Sequence, residues 1–220
     1  MSRHDQNLLA GVFLTALTLC CVAPATATAQ SEAEESDFKP LFDGDSFDHW
    51  DGDRKWFRIE DHSIMGGSLK ERVPMNFFLQ HEREFRDFEL RLQFRLIGDD
   101  TNAGIQIRSQ RIPDHHEMIG YQADLGQNYW GALYDESRRR KVLAGPDPEK
   151  IKAVLRQDDW NDYRILCQGP RIQLWINDLQ TVDYTEQDSD IPLTGRIAVQ
   201  IHGGPPGEAH YRNLRIREIE

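Results

Sequence analysis

The feature that most constrains this chain is a strict alternation of apolar and polar residues over short stretches. The clearest stretch runs from Phe88 to Leu96, where every second residue is apolar. A period of two places successive side chains on opposite faces of a β-strand, so one face is apolar and the other is polar. Similar alternation recurs at Trp56–Glu60, Phe77–His81, Gly104–Ser109, Tyr121–Leu125, Gly131–Tyr134, Tyr163–Gln168, Arg171–Asn177, Gly195–His202 and Leu214–Ile219.

Turn-forming residues separate these stretches. They are Gly66-Gly67, Gly98-Asp99-Asp100, Gly169-Pro170, Asn177-Asp178 and Gly203-Gly204-Pro205-Pro206. The pattern allows one short helix, at residues 147–155, which Pro148 can begin because proline is favoured in the first helical turn. Many short strands without a long amphipathic helix predict an all-β fold, a two-sheet antiparallel β-sandwich or a barrel.

The first residues have the pattern of a secretory signal peptide. A short n-region with Arg3 and His4 precedes an apolar run from Leu8 to Val22, and Ala27-Thr28-Ala29 supplies small residues for cleavage. We therefore expect residues 1–29 to be a signal peptide and the protein to be exported, to the periplasm or outside the cell. The acidic, non-periodic residues 30–37 are predicted to be a flexible linker, and residues 38–220 a single domain.

Two membrane-anchored alternatives fit the leader less well. An uncleaved anchor needs a longer apolar run than this one, which also contains Thr15 and Thr18. A lipid anchor would require a small residue before the modified cysteine, but Leu19 precedes Cys20. We expect no stable membrane insertion after removal of the leader, which leaves Cys167 as the single, buried cysteine of the mature chain.

Charge and composition restrict the class of ligand. The formal net charge is -11, and it is unchanged without the leader because Arg3 and Asp5 cancel. Such a charge disfavours binding to the nucleic-acid backbone. Five Trp, six Tyr and many amide side chains suit a neutral carbohydrate, since aromatic rings stack on sugars and amides bind hydroxyl groups. The predicted partner is a carbohydrate and not a nucleic acid.

Three of the predicted strands carry a mixed set of polar residues on the face opposite their apolar residues. The set comprises Gln106 and Arg108, Gln122 and Asp124, and Gln200 and His202. If the strands are neighbours in a curved sheet, these side chains converge on a concave surface. Tyr129, Trp130 and Tyr134 are candidates for the aromatic ring that stacks on a sugar. The simpler interpretation is a solvated sheet face, which the repeated Arg and Glu around Phe88–Leu96 illustrate.

Two clusters of potential metal ligands have simpler explanations. His115-His116 lies in a loop, and adjacent loop histidines are usually solvated. The run Asp43-Gly44-Asp45 departs from the spacing of a calcium loop and is typical of a turn. Arg138–Lys141 is expected to pair with loop carboxylates such as Asp135 and Glu136. The residues therefore predict no metal site and no cofactor.

The order of several short motifs resembles the 3-keto-disaccharide hydrolase family. The motifs are Pro40-Leu41-Phe42-Asp43-Gly44 with Trp50, Asp87-Phe88-Glu89-Leu90, Asn102-Ala103-Gly104-Ile105 with Arg108, Gly120-Tyr121-Gln122-Ala123-Asp124, Trp160-Asn161, and Gln200-Ile201-His202-Gly203 with Arg212-Asn213. They cover nearly the whole mature chain. The resemblance implies a concanavalin A-like jelly-roll sandwich with its site on the concave sheet.

The resemblance also implies cleavage of glycosides whose sugar is oxidised at C3. A C3 ketone acidifies the C2 proton, so a base can remove it while the leaving group departs from C1 and water adds later. We assign Asp124 and His202 as base and acid in either order, and Arg108 as the oxyanion partner. The hydroxyl binders are then Asn102, Gln106, Gln122 and Gln200, with a divalent metal as an alternative to the acid at the leaving oxygen.

One departure from the family pattern leaves catalysis open. Many members carry a Glu where this chain has Gln122, and the acid here is Asp124, with Glu136 as a substitute from a nearby loop. The first hypothesis is therefore a glycoside-cleaving enzyme. The second is a non-catalytic carbohydrate-binding module, and a third is a structural domain that docks to another protein.

Overall fold

A computed structural model describes residues 35–220 of the chain. The predicted signal peptide, residues 1–29, and residues 30–34 of the predicted linker lie outside the described residues. Residues 37–220 form one compact unit. Within the described part, no helix has the length and apolar character needed to cross a membrane.

The unit consists of two antiparallel β-sheets, which confirms the all-β sandwich. The eight-stranded sheet contains β1 (Lys39–Pro40), β3 (Phe57–Glu60), β4 (Ser63–Ser68), β6 (Phe88–Ile97), β11 (Asn161–Gln168), β12 (Arg171–Ile176), β13 (Leu179–Thr185) and β15 (Gly207–Glu218). The seven-stranded sheet contains β2 (Trp50–Asp51), β5 (Phe77–Phe85), β7 (Asn102–Arg111), β8 (Met118–Gly126), β9 (Leu133–Glu136), β10 (Val142–Ala144) and β14 (Gly195–Ile201).

Strands that are distant in sequence lie side by side in both sheets. The seven-stranded sheet has the order β10-β9-β8-β7-β14-β5-β2, so β14 lies between β7 and β5. The eight-stranded sheet has the order β13-β12-β11-β6-β15-β4-β3, and β1 adds to β15. The single helix of the described sandwich, α1 (Pro148–Val154), begins after Asp147, whose carboxylate accepts hydrogen bonds from the first backbone amides of the helix.

The hydrophobic core lies between the two sheets. The apolar residues of the alternating stretches face inward, for example Leu90 and Phe94 of β6 opposite Ile105 of β7 and Val199 of β14, and all four are fully buried. Burying each such side chain stabilises the fold by roughly 1.5–3 kcal/mol. Cys167 is also fully buried in this core, and burial raises the pKa of its thiol to about 12.

One predicted turn is wrong. Gly66 and Gly67 lie inside β4 and pair with β15 rather than forming a turn. A Cβ atom on Gly66 would lie 2.9 Å from the ring of Phe57. Glycine at this position therefore leaves room for the Phe57 ring of the neighbouring strand β3. By contrast, Asn177 and Asp178 adopt positive φ in the tight connection between β12 and β13, as the predicted turn requires.

The face of the seven-stranded sheet that points away from the core, here called the polar face, carries most of the predicted functional residues. Its register aligns Gln106 with both Ala198 and Gln122, and Gly104 with both Gln200 and Asp124. The polar face includes Phe78, Gln80, Asn102, Gly104, Gln106, Met118, Gln122, Asp124, Tyr134, Glu136, Arg196, Ala198 and Gln200.

Candidate functional site

A chain of hydrogen bonds runs across the polar face and ends at Asp124. The Ser109 hydroxyl donates to Gln106 Oε1 over 2.6 Å, and Gln106 Nε2 donates to Gln122 Oε1 over 2.6 Å. Gln122 Nε2 then donates to Asp124 Oδ1 over 2.5 Å. Ser109, Gln106, Gln122 and Asp124 are all at least 97 % buried. The two glutamines therefore form a fixed amide floor that orients the Asp124 carboxyl group.

Gly104 makes room for this floor. A Cβ atom at residue 104 would lie 2.6 Å from Cδ of Gln122, so only glycine lets the Gln122 amide lie flat across β7. On the other side of Gly104 stands Gln200, which is fully buried. Neither Nε2 nor Oε1 of Gln200 has a hydrogen-bond partner among residues 35–220. An unpaired buried amide is costly, so this position calls for a polar ligand or water.

Asp124 keeps its proton more strongly than an ordinary aspartic acid. Burial raises its pKa to about 8, the hydrogen bond from Gln122 opposes this shift, and the charge of Glu136 adds to it. Because Oδ1 is held by Gln122, the other oxygen, Oδ2, is the one left for a ligand. At neutral pH this group is therefore a proton donor.

A second acidic group, Glu136, lies on the polar face in the neighbouring strand β9. Burial raises the pKa of Glu136 to about 7, and the charge of Glu117 is the next contribution. Tyr134 lies on the same face, two residues before Glu136 in β9. Its register partner is Gln122, which lies two residues before Asp124 in β8. Burial raises the pKa of Tyr134, and the charges of Glu136 and Asp124 raise it further. The phenol thus lies within electrostatic reach of both carboxyl groups.

The two predicted aromatic candidates of the β8–β9 connection take different positions. Tyr129 is 37 % exposed, and its ring makes an edge contact with Tyr134 at 6.4 Å between centroids. Trp130 packs instead against Phe94 of the core, 6.2 Å between centroids, and lines a crevice of about 1190 Å³ beside α1. Tyr129 and Tyr134, and not Trp130, are the rings next to the carboxyl pair.

His202 lies beyond the end of β14, beside Asn102. Its backbone amide donates to the Asn102 carbonyl over 3.0 Å, and its side chain is exposed. The ring Nδ1 lies 2.8 Å from the Gly203 carbonyl, so it carries the proton and Nε2 is free to accept one. His202 and Asn102 therefore occupy the same face as Asp124. They lie two residues further along their strands than Gln200 and Gly104, which are level with Asp124.

Arg108 is not on the polar face, which corrects the expectation drawn from alternation. The residue has φ of 48°, and the pairing of β7 with β8 shifts register between Ile107 and Gln110. This β-bulge inverts the alternation. The guanidinium group is instead fully buried, with bonds to the carbonyls of Arg86 and Gly169 and to Asp87. With its donors occupied by these turns, Arg108 has no place as the oxyanion partner.

The bulge brings Ser109 to the polar face in place of Arg108, and sequence alternation did not identify this residue. Sequence reasoning also missed Glu117, which precedes β8. One oxygen of Glu117 accepts a hydrogen bond from Asn76 over 3.0 Å, whereas its buried Oε2 has no partner in the described part of the chain. Among residues 35–220, no group of three or more His, Cys, Asp or Glu side chains is arranged to hold a metal ion.

Comparison with solved structures supports the fold. A putative glycosyl hydrolase from Parabacteroides distasonis matches with a TM-score of 0.64 and 17% identity, over 86% of this chain and 97% of that chain. A Bacillus subtilis protein of unknown function with a galectin-like fold matches with a TM-score of 0.61 and 16% identity, over 82% and 94%. The carbohydrate-binding module CBM66 from Bacillus subtilis matches with a TM-score of 0.51 and 9% identity, over 77% and 96%.

At these identities the structural matches show a shared fold and nothing finer. No curated protein matches the chain closely enough to count as a relative. The family model of the 3-keto-alpha-glucoside-1,2-lyase-like domain, however, matches residues 37–217. This match spans most of the chain and agrees with the resemblance seen in its motifs. The chain belongs to the 3-keto-alpha-glucoside-1,2-lyase-like domain family.

Proposed function

We propose that this protein cleaves the glycosidic bond of 3-keto glycosides by elimination and rehydration. The observation that carries the proposal is the pair Asp124 and Glu136, two carboxyl groups with raised pKa values on one sheet face, with Tyr134 between them. Raised carboxyl pKa values near the working pH suit general acid and base catalysis. The family match and the carbohydrate-related structural neighbours support the substrate class.

The two members of the pair lie on neighbouring strands of the polar face. Glu136 pairs with Gly120, and Asp124 lies four residues further along β8. Four residues of strand separate the two backbone positions by about 14 Å, and both side chains stand on the same face. The charge of Glu136 contributes to the raised pKa of Asp124.

The elimination step assigns a role to each carboxyl group. The Glu136 carboxylate removes the proton from C2, which the C3 ketone acidifies. The C1–O bond breaks as the C2 electron pair forms the C1–C2 double bond, and Asp124 donates its proton to the departing oxygen. Tyr134 is the hydroxyl donor available to the C3 oxygen, whose negative charge increases during proton removal.

Rehydration restores both groups. Water adds to C1 of the unsaturated ketone while the Asp124 carboxylate accepts one of its protons. The proton on Glu136 exchanges with solvent before Glu136 protonates C2, which yields the free 3-keto sugar. The Ser109–Gln106–Gln122 chain keeps Asp124 Oδ2 in place during both half-reactions, since Oδ1 is hydrogen bonded throughout.

His202 is the alternative partner of Asp124. Its free Nε2 can act as a base, but its exposed ring is one rung further along the sheet and two strands away from β8. The carbohydrate-binding module hypothesis also has structural support, because one solved neighbour is such a module. A binding module would need the amides and aromatic rings of the polar face but neither carboxyl pKa shift.

The test is release of 4-nitrophenol from 4-nitrophenyl 3-keto-glucoside, measured as kcat and KM at pH 7.5. We expect Glu136→Gln and Asp124→Asn each to lower kcat by 10²-fold or more, since general acid and base groups typically contribute about 10²–10⁴-fold. His202→Gln should lower kcat less than tenfold. The matched control is Glu60→Gln, which changes an exposed carboxylate on the opposite sheet.

Two outcomes contradict the assignment. Loss of turnover in His202→Gln with retention in Glu136→Gln would make His202 the base. Saturable binding of 4-nitrophenyl 3-keto-glucoside to wild-type protein, without any release of nitrophenol, would identify a binding module instead.

A further inference from the structure

The polar face has a concave feature on strands β5, β14 and β7, away from Glu136 on β9. A groove of about 580 Å³ is lined by Gln80 of β5, Arg196 of β14, Gln110 and Arg111 of β7, and Pro113 and His115 of the following loop. None of these residues belongs to the amide floor or to the carboxyl pair. We call this feature the distal groove.

Two polar atoms of residues that line the distal groove, one acceptor and one donor, are buried and have no hydrogen-bond partner in the described structure. The Gln80 side chain is 4 % exposed, and its Nε2 donates to Asp51 Oδ2 over 3.3 Å, which fixes the amide orientation. Its Oε1 is then an acceptor without a partner in the described structure. The buried Nε of Arg111 is a donor that likewise has no partner among residues 35–220.

Arg196 adds further donors. Its side chain is half-buried, and it makes no hydrogen bond or ion pair with any other residue of the described sandwich. A half-buried guanidinium group without a carboxylate partner among residues 35–220 has five N–H donors available for a ligand. One acceptor beside several donors matches a pair of neighbouring hydroxyl groups, each of which can donate one hydrogen bond and accept others.

The surrounding charges argue against an anionic ligand. Asp51 lies 3.9 Å from Arg111, and Asp114 lines the groove itself. Glu84, which is the register partner of Arg196, accepts a hydrogen bond from Gln110 over 3.0 Å. Three carboxylates around two arginines leave no excess positive charge. A neutral polyhydroxyl group fits this environment better than a carboxylate or sulfate.

We infer that the distal groove is a second sugar-binding subsite, in which neighbouring hydroxyl groups of one sugar unit bind Gln80, Arg111 and Arg196. The inference rests on the proposed function for its ligand class. Gln80 pairs with Ala198, Ala198 with Gln106, and Gln106 with Gln122, so two strand spacings, about 10 Å, separate Gln80 from Gln106 of the floor, and three, about 14 Å, separate it from Gln122 beside Asp124. The subsite therefore holds a sugar unit other than the one that reacts, and the protein favours glycosides extended along the polar face.

The test is the dependence of affinity on oligosaccharide length. Wild-type protein is titrated calorimetrically with two series of gluco-oligosaccharides, α-linked and β-linked, from one to five units. We expect Kd in one series to fall by at least tenfold at the length that reaches the distal groove. Arg196→Gln should remove that gain and return Kd to the value of the next shorter oligosaccharide.

The control is Arg83→Gln, which removes an exposed arginine of the same strand as Gln80 that pairs with Glu218 outside the groove. This variant should keep the full length dependence. The inference is overturned if Kd does not improve with length, if no oligosaccharide binds, or if Arg196→Gln retains the gain. Release of nitrophenol from the single-sugar 3-keto-glucoside by the same preparation tests the proposed function separately, so the two failures are distinguishable.

Discussion

At the scale of single residues, the environment of Asp124 is arranged to tolerate a proton. If Asp124 is ionised, the chain Ser109 to Gln106 to Gln122 donates toward it. If Asp124 is protonated and donates, both amides can rotate, since Ser109 Oγ also lies 3.0 Å from the Ile107 carbonyl and 3.2 Å from the Tyr121 carbonyl and can donate there. The floor is thus satisfied in both protonation states.

Asp124→Asn should stabilise the protein at alkaline pH. The pKa of Asp124 is raised by burial from 3.8 to about 8, so between these values the folded state binds more protons than the unfolded state. Wild-type stability therefore falls as pH rises from about 4 to about 8, and Asn, which does not ionise, avoids this loss. A change of one in pKa corresponds to about 1.4 kcal/mol, and 1 kcal/mol to roughly 2–4 °C in Tm for a domain of this size, so the variant should have a Tm higher by several degrees at pH 8.5.

The internal control is the same comparison at pH 4, where wild type and variant should have nearly equal Tm values because Asp124 is protonated in the folded state. Calorimetric scans across this pH range give the measurement. A Tm difference that does not change with pH would contradict the raised pKa of Asp124.

Single residues also show where sequence reasoning reaches its limit. Alternation correctly placed Gln106, Gln122, Asp124 and Gln200 on one face, because apolar neighbours alternate with them without interruption. The same rule failed for Arg108, since one residue of positive φ inverts the alternation and no sequence period reports it. A pKa shift is similarly invisible in sequence, because it depends on burial by residues distant in the chain.

At the scale of elements, the position of strand β9 depends on an ionic network at its outer end. Arg138 and Arg139 both bind Asp135, as the basic run predicted, but Arg139 also binds Glu186 after β13. Glu186 further accepts a hydrogen bond from the Tyr121 hydroxyl over 2.6 Å. Burial alone would raise the pKa of Glu186, but the hydrogen bonds from Arg139 and Tyr121 hold it well below its usual range.

Glu186→Gln should destabilise the protein and disturb β9, which carries Tyr134 and Glu136. Loss of the charge leaves Arg139 with a weaker partner, and we expect a loss on the order of 2 kcal/mol, measured by urea unfolding at pH 7. Asp183→Asn is the matched control, because Asp183 of β13 lies three residues before Glu186 and pairs with Arg171 of β12 in an exposed position. Equal effects of the two substitutions would show that the network does not hold β9.

Elements with a clear two-residue period were the predictable ones. Strand β6 alternates over its whole length and was identified nearly completely. Strand β4 was missed because both of its faces are buried and two of its residues are glycine, so it lacks a polar face. Strand β13 and the first half of β15 were also not predicted. The first half of β15 contains Tyr211, whose hydroxyl donates a hydrogen bond to the Gln200 carbonyl beneath the polar face.

At the scale of the whole molecule, the apolar core and the candidate functional site lie on opposite faces of the seven-stranded sheet. The core between the sheets is apolar, whereas the polar face holds the carboxyl pair and the distal groove on the same seven strands. The class of fold follows from the period of the sequence, and the family follows from the order of its motifs. Strand order and register, which bring β14 between β7 and β5, arise from long-range pairing and required the structure.

The central claim, that a group on the polar face removes the C2 proton, is tested most directly by running the reaction in D₂O. Wild-type protein should release a 3-keto sugar carrying deuterium at C2, seen as loss of the C2 proton signal by NMR, and Glu136→Gln should not. Release of a sugar that keeps its C2 proton would contradict elimination, and wild-type deuterium incorporation by Glu136→Gln would contradict the assignment of the base.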